Sequence, residues 1–113
     1  MHESGTVRKL LRTLEEEMKK AGGKRVRSAI LKIGVLSGVD ADHLKSDFDA
    51  LKKGTFAEGA DIAIEKVQAK GECLACGNTF VPDEIFLKCN KCGSYRCNII
   101  SGNELLWNKI EVE

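Results

Sequence analysis

Apolar residues recur at three- and four-residue steps at the start of the chain. Val7, Leu10, Leu11, Leu14, Met18 and Ala21 form one stripe, with Arg8, Lys9, Arg12, Glu15, Glu16 and Lys19 outside it. That period predicts an amphipathic helix over 4–21, capped by Ser4 and stopped at Gly22-Gly23. The period then changes to two. Ala29, Leu31, Ile33 and Val35 alternate with Ser28, Ile30, Lys32 and Gly34, which predicts a strand over 25–36 whose second face Val26 and Ile30 leave partly covered. Leu44, Phe48 and Leu51 restore helical spacing over 41–53, with Asp40 at the N-cap and Gly54 at the stop. A second strand is expected over 60–69. Ile62 and Ile64 fall on one face of it and Val67 and Ala69 on the other, so a bulge is expected near Lys66. A last strand, 104–112, carries Leu106, Ile110 and Val112 on one face and Trp107 on the opposite one.

Two Cys-x-x-Cys-Gly units interrupt this succession, Cys73-Leu-Ala-Cys76-Gly77 and Cys89-Asn-Lys-Cys92-Gly93. Each tight turn aims two sulfurs at one point, and glycine follows where φ > 0 is needed. Four thiolates in two knuckles suit tetrahedral Zn(II), with a rubredoxin-like iron site as the alternative. Such a site leaves no open coordination position and reads as structural. The apolar residues between the knuckles, Phe80, Pro82, Ile85, Phe86 and Leu87, are too few for a core. The metal must therefore supply most of the folding free energy of this module. A sheet of two strands is marginal, so the last strand is expected to return and complete it. The fold class is then α+β. A small body of two helices and a three-stranded mixed sheet, 1–70 plus 99–113, holds an inserted four-cysteine, zinc-ribbon-like domain, 71–98.

Charge narrows the functional classes. Lys and Arg number 18 and Asp and Glu 17, so the chain shows no electrostatic footprint for nucleic acid. No apolar run has the length of a membrane span, and no signal-peptide pattern opens the chain. Cysteines in metal spacing fit a reducing cytoplasm better than a disulfide framework. Cys97 is left over. It reads as a small apolar side chain where the inserted module rejoins the body, with an auxiliary or redox-sensitive metal ligand as the sharper alternative. No nucleophile–base pair or phosphate-cradling loop is present, so the chain is not expected to be an enzyme.

The chain also opens on Met1-His2-Glu3. Ile33-Gly34-x-Leu36-Ser37-Gly38-Val39 ends the first strand, and Leu44-x-x-x-Phe48 and Gly54-Thr55 follow. After the two knuckles come Gly102-Asn103-Glu104-Leu105 and Ile110-Glu111-Val112-Glu113. Taken together, these residues resemble the HypA/HybF family of nickel metallochaperones for [NiFe]-hydrogenase maturation, from the first residue to the last. The resemblance implies a nickel-binding α/β domain and a zinc domain. It implies a maturation GTPase and the hydrogenase large-subunit precursor as partners, with urease maturation proteins added for some members. It admits monomers or homodimers, and no membrane or nucleic-acid partner.

The resemblance places Ni(II), as cargo, at the N-terminus, and the chemistry there supports it. The Met1 α-amine has an ordinary pKa near ~8 and gives up its proton readily to a metal. The His2 backbone nitrogen closes a five-membered chelate ring with it, and His2 Nδ1 closes a six-membered one. Three nitrogens in a plane suit square-planar Ni(II). The fourth ligand is left open among the Glu3 backbone nitrogen, the Glu3 carboxylate and the Asp40 carboxylate. Without the resemblance, His2 reads as a terminal residue, Glu3 as a helix-dipole partner and Asp40 as an N-cap. His43 reads as a solvent-facing first-turn residue. The competing function is a zinc-ribbon adaptor or nucleic-acid-binding module in which Met1-His2-Glu3 has no nickel role.

Overall fold

A computed structural model describes residues 2–82 and 87–113, with side chains from Gly5 onward. The first helix, α1, spans His2–Lys20. It starts two residues earlier than the apolar stripe requires, so Ser4 lies within the helix and is not its cap. Nothing in His2-Glu3 breaks a helix, and the stripe marks only the turns that touch the core. At the other end, Gly23 N–H donates to the Met18 carbonyl and Gly22 N–H to Lys19, with Gly22 at φ 77°. This paired closure satisfies carbonyls that the helix leaves open.

Strand β1, Val26–Gly34, leads into helix α2, Ala41–Leu51, and strand β2, Asp61–Val67. β1 and β2 pair in parallel, with α2 as the crossover between them. β6, Leu105–Val112, returns antiparallel to the other side of β1, giving the mixed order β2-β1-β6. The expected bulge near Lys66 is absent. β2 pairs with β1 without interruption from Asp61 to Val67. Val67 therefore takes the face opposite Ile62 and Ile64 by plain alternation, and Ala69 lies past β2, where the chain leaves this sheet to begin β3, Lys70–Cys73, in another.

The irregularity sits in β6. Its register against β1 shifts between Ser28 and Ile30, where Lys109 adopts φ 51°. The extra residue reverses the parity of the strand. Leu105 and Trp107 face the helices before it, and Ile110 and Val112 face them after it. Trp107 is therefore a core residue and Leu106 an exposed one, at 48% of its surface, the reverse of the sequence expectation. A second register shift next to it, between Val26 and Ser28 at the start of β1, brings Val26 onto the helix side as well.

Two apolar clusters fill the space between helices and sheet. Leu14, Met18, Val26, Ala29, Ala57, Ala60 and Ile62 form one, while Val7, Leu10, Leu31, Ile33, Leu44 and Phe48 form the other. Trp107 bridges them. It meets Phe48 edge-on at 5.5 Å between ring centres, and its Nε1–H donates to the Leu10 carbonyl at 2.9 Å.

The inserted module has its own sheet, β4-β3-β5, in which β4 is Thr79–Phe80 and β5 is Cys97–Ser101. Two chain crossings join it to the body. Gly34 and Gly102 touch backbone to backbone there, and a Cβ on Gly34 would lie 2.0 Å from the Gly102 carbonyl oxygen. Leu36 N–H donates to that oxygen at 2.7 Å, Gly34 N–H to the Glu104 carbonyl at 2.8 Å, and Ser101 Oγ to the Gln68 carbonyl at 2.8 Å. The molecule is elongated, 53 × 30 × 17 Å. Its radius of gyration is 17.3 Å, whereas one compact body of this length would have about 13 Å.

Candidate metal centre

The two knuckles repeat one hydrogen-bond scheme. Cys73 N–H donates to the Asn78 carbonyl and Cys89 N–H to the Ser94 carbonyl, both at 2.9 Å. Gly77 N–H closes back on the Cys73 carbonyl and Gly93 N–H on the Cys89 carbonyl, with φ 79° and 78° at the two glycines. Each turn thus folds its main chain around the first cysteine of its pair. Cys76 N–H points at Cys73 Sγ at 3.4 Å, and Lys91 and Cys92 N–H point at Cys89 Sγ at 3.3 and 3.4 Å.

All four sulfurs lie within 4.8 Å of one another. The Cys73–Cys92 and Cys76–Cys89 separations are both 3.6 Å. A Zn–S bond of about 2.3 Å requires an edge of about 3.8 Å in a sulfur tetrahedron. A disulfide would need about 2.0 Å, and all the cysteines are free thiols. The donor set and spacing therefore fit a structural metal of the zinc type. Cys73 and Cys89 are buried, while Cys76 and Cys92 are exposed.

The sulfurs are not equivalent before a metal arrives. Donation from the Cys92 N–H, opposed by burial and reinforced by Lys91 N–H and Asn78, brings the Cys89 thiol down to about 6. Cys73 is lowered by the Cys76 N–H first, against burial. Cys92 goes the other way. The Ser94 N–H lowers it, but the Cys73 thiol, burial and the thiols of Cys76 and Cys89 together outweigh that and push it up to about 12. The site thus favours the thiolate at Cys89, lowers the thiol of Cys73 in the same direction, and holds a proton on Cys92 that the cation must displace.

Asn78 is a functional residue that motif reading passes over. Its Nδ2 donates to Asn90 Oδ1 at 2.9 Å and lies 3.7 Å from Cys89 Sγ, so it ties one knuckle to the other and to a ligand. Its position directly after Cys-x-x-Cys-Gly was the available signal. Cys97 is paired directly with Cys73 in the β3–β5 ladder and packs against the small cluster of Cys73, Phe80, Cys89 and Leu87. Its thiol contacts the Ser94 carbonyl at 3.5 Å and is raised by burial, then by the charge of Cys73.

Of the nickel candidates, only Asp40 has a described side chain, and it is not among the residues of this centre. Asp40 is the N-cap of α2, where Oδ1 accepts from Asp42 N–H at 3.0 Å and His43 N–H at 3.3 Å. His43 is exposed and stands 3.7 Å from Asp47. Met1 lies outside the described residues, as do the side chains of His2 and Glu3; their backbone forms the first turn of α1. Among the described residues, no helix is long and apolar enough to cross a membrane.

Comparison with known proteins covers the whole chain. The family model described as hydrogenase/urease nickel incorporation, metallochaperone, hypA, matches residues 1–112. The hydrogenase maturation factor HypA of Geobacter metallireducens is 40% identical over 113 residues, all of both chains. That of Aquifex aeolicus is 35% identical over all of this chain and 98% of its own. The solution structure of the Ni metallochaperone HypA from Helicobacter pylori superposes with a TM-score of 0.74 at 26% identity, covering 97% of this chain and 96% of that one. A nickel metallochaperone family, not an enzyme family, accounts for the two-helix body, the four-sulfur centre and the length of the match: the chain belongs to the HypA family.

Proposed function

We propose that the chain binds Ni(II) through the Met1 amine, the His2 backbone nitrogen and His2 Nδ1, and delivers it for assembly of the [NiFe]-hydrogenase active site. The observation that carries the reading is where α1 begins. The first backbone N–H groups of a helix have no acceptor within it. With α1 starting at His2, a metal that replaces the His2 and Glu3 amide protons costs the helix no hydrogen bond. Charge supports the same arrangement. With the His2 amide deprotonated, either fourth ligand, a second deprotonated amide or a carboxylate, leaves the nickel centre neutral, so it adds no positive charge at the helix N-terminus.

Asp40 and Glu3 are the two carboxylates in question. Val7, early in α1, packs in the same cluster as Val39, Ala41 and Leu44, which flank Asp40. Both capping bonds of Asp40 use Oδ1, so a role for Oδ2 toward nickel is compatible with its cap. In this reading residues 1–70 with 99–113 handle nickel and 71–98 form the zinc module. The recipients are a maturation GTPase and the hydrogenase large-subunit precursor, with urease maturation proteins as a further route. Free thiols throughout suit the reducing cytoplasm.

The test is isothermal titration of Ni(II) into zinc-loaded protein with its native N-terminus, with one residue added before Met1, and with His2→Ala. Stoichiometric binding to the first alone supports the site. Equal binding to all three removes it.

A further inference from the structure

The segment Cys97–Val112 forms the outer strand of both sheets, β5 in one and β6 in the other. Such edges invite pairing, and proteins ordinarily guard them with charge or bulges. Between Arg96 and Lys109 the only charged residue is Glu104, and its Oε1 accepts from the Gly102 N–H. The guard on β6 is Lys109 at the bulge, which leaves Leu105–Asn108 unguarded. The Gly34–Glu104 hydrogen bond sets the phase of the β1–β6 ladder. Glu104, Leu106 and Asn108 turn their main chain toward β1, so Leu105 and Trp107 turn theirs outward.

Beside that edge lies a groove of about 370 Å³, lined by Leu105, Leu106 and Trp107 on one wall and by Lys9, Thr13 and Glu17 of α1 on the other. Glu17 is paired with Lys20. The exposed cations Lys9 and Arg12, one helical turn apart, have no acidic partner among the described residues. We propose that this edge is a docking site for an extended strand of a partner protein, which pairs with the backbone of Leu105 and Trp107 and sets a carboxylate against Lys9. A second copy of the chain fits poorly. Pairing β6 with β6 would put two α1 helices above strands about 4.8 Å apart, whereas packed helices need about 8–10 Å. A strand without its own helix meets no such obstacle, and its alternate side chains would enter the groove.

The test is an NMR titration of the zinc-loaded protein with a short capped peptide of alternating valine and threonine bearing an aspartate at each end. Controls are the same peptide with lysine ends, and one N-methylated at alternate residues. The expected result is saturable shifts of the Leu105 and Trp107 amides and the Trp107 indole. Binding should weaken about fivefold with Lys9→Glu, weaken with lysine ends, and vanish on N-methylation. No saturable shift, or equal binding by the N-methylated peptide, overturns the proposal. Shifts at Leu105–Trp107 that depend on protein concentration alone would assign the edge to a second copy and overturn it as well.

Discussion

Cys89 receives main-chain donation from Lys91 and Cys92 and a side-chain contact from Asn78, and its behaviour with pH follows from that. Its thiol is brought to about 6 from the ordinary 9.0, chiefly by the Cys92 N–H. A depressed thiol contributes stability that is present above its unfolded value and is lost as pH falls through its folded one. Zinc competes with the same proton, so the metal should be retained at neutral pH and its affinity should fall as the medium becomes acidic. A chelator-dye assay across pH 4–8, run on about tenfold steps of proton activity, reads this directly; release already complete at neutral pH would contradict it. Asn78→Ala removes the donor that joins the knuckles. It should lower zinc affinity by about tenfold or more with the fold intact. An unchanged competition curve would show that the Asn78 contact is incidental.

At the level of elements, the parity switch in β6 decides what the core contains. Lys109 holds φ 51°, a left-handed conformation that costs a β-branched residue more than it costs lysine. Lys109→Val should destabilise the body by about 1–2 kcal/mol relative to Lys109→Gly, measured by urea unfolding. Equal stability would mean that the bulge relocates. The same residue explains what strand periodicity missed. A period of two, extended without a break from Leu106 to Val112, puts Leu106 inside and Trp107 outside, and nothing in the residue types announces the switch. The helices and β1 were legible because their patterns are continuous and flanked by Asp40, Gly22 and Gly54. The four sulfurs were legible because ligand spacing is local. Asn78 was not, because its partner Asn90 belongs to the other knuckle.

On the scale of the whole molecule, two sheets with separate apolar clusters meet at a narrow neck. The body rests on two apolar clusters. Among the described residues, the module's apolar cluster is Cys73, Phe80 and Cys89 with Leu87 and Cys97 about them, and two of the three buried members of that cluster belong to the four-sulfur centre. Chelation of zinc should therefore unfold the module around β3, β4 and β5 while α1, α2 and the β2-β1-β6 sheet persist. Amide exchange resolved by residue would show this, and joint loss of both would show that the body depends on the metal. At the neck, a Cβ on Gly34 meets the Gly102 carbonyl at 2.0 Å, which no side-chain adjustment relieves. Gly34→Ala should force the two bodies apart or tilt them, visible as a change in the scattering profile with both metal contents preserved.

In the proposed division of labour, sulfur holds the resident zinc, and nitrogen at the N-terminus holds the travelling nickel. X-ray absorption at the nickel edge, on protein with its native N-terminus and its zinc in place, tests it most directly. A planar nickel shell of nitrogen and oxygen only is expected, with the zinc edge of the same sample reporting four sulfurs. Sulfur in the nickel shell, or loss of zinc–sulfur scattering as nickel is added, would contradict it.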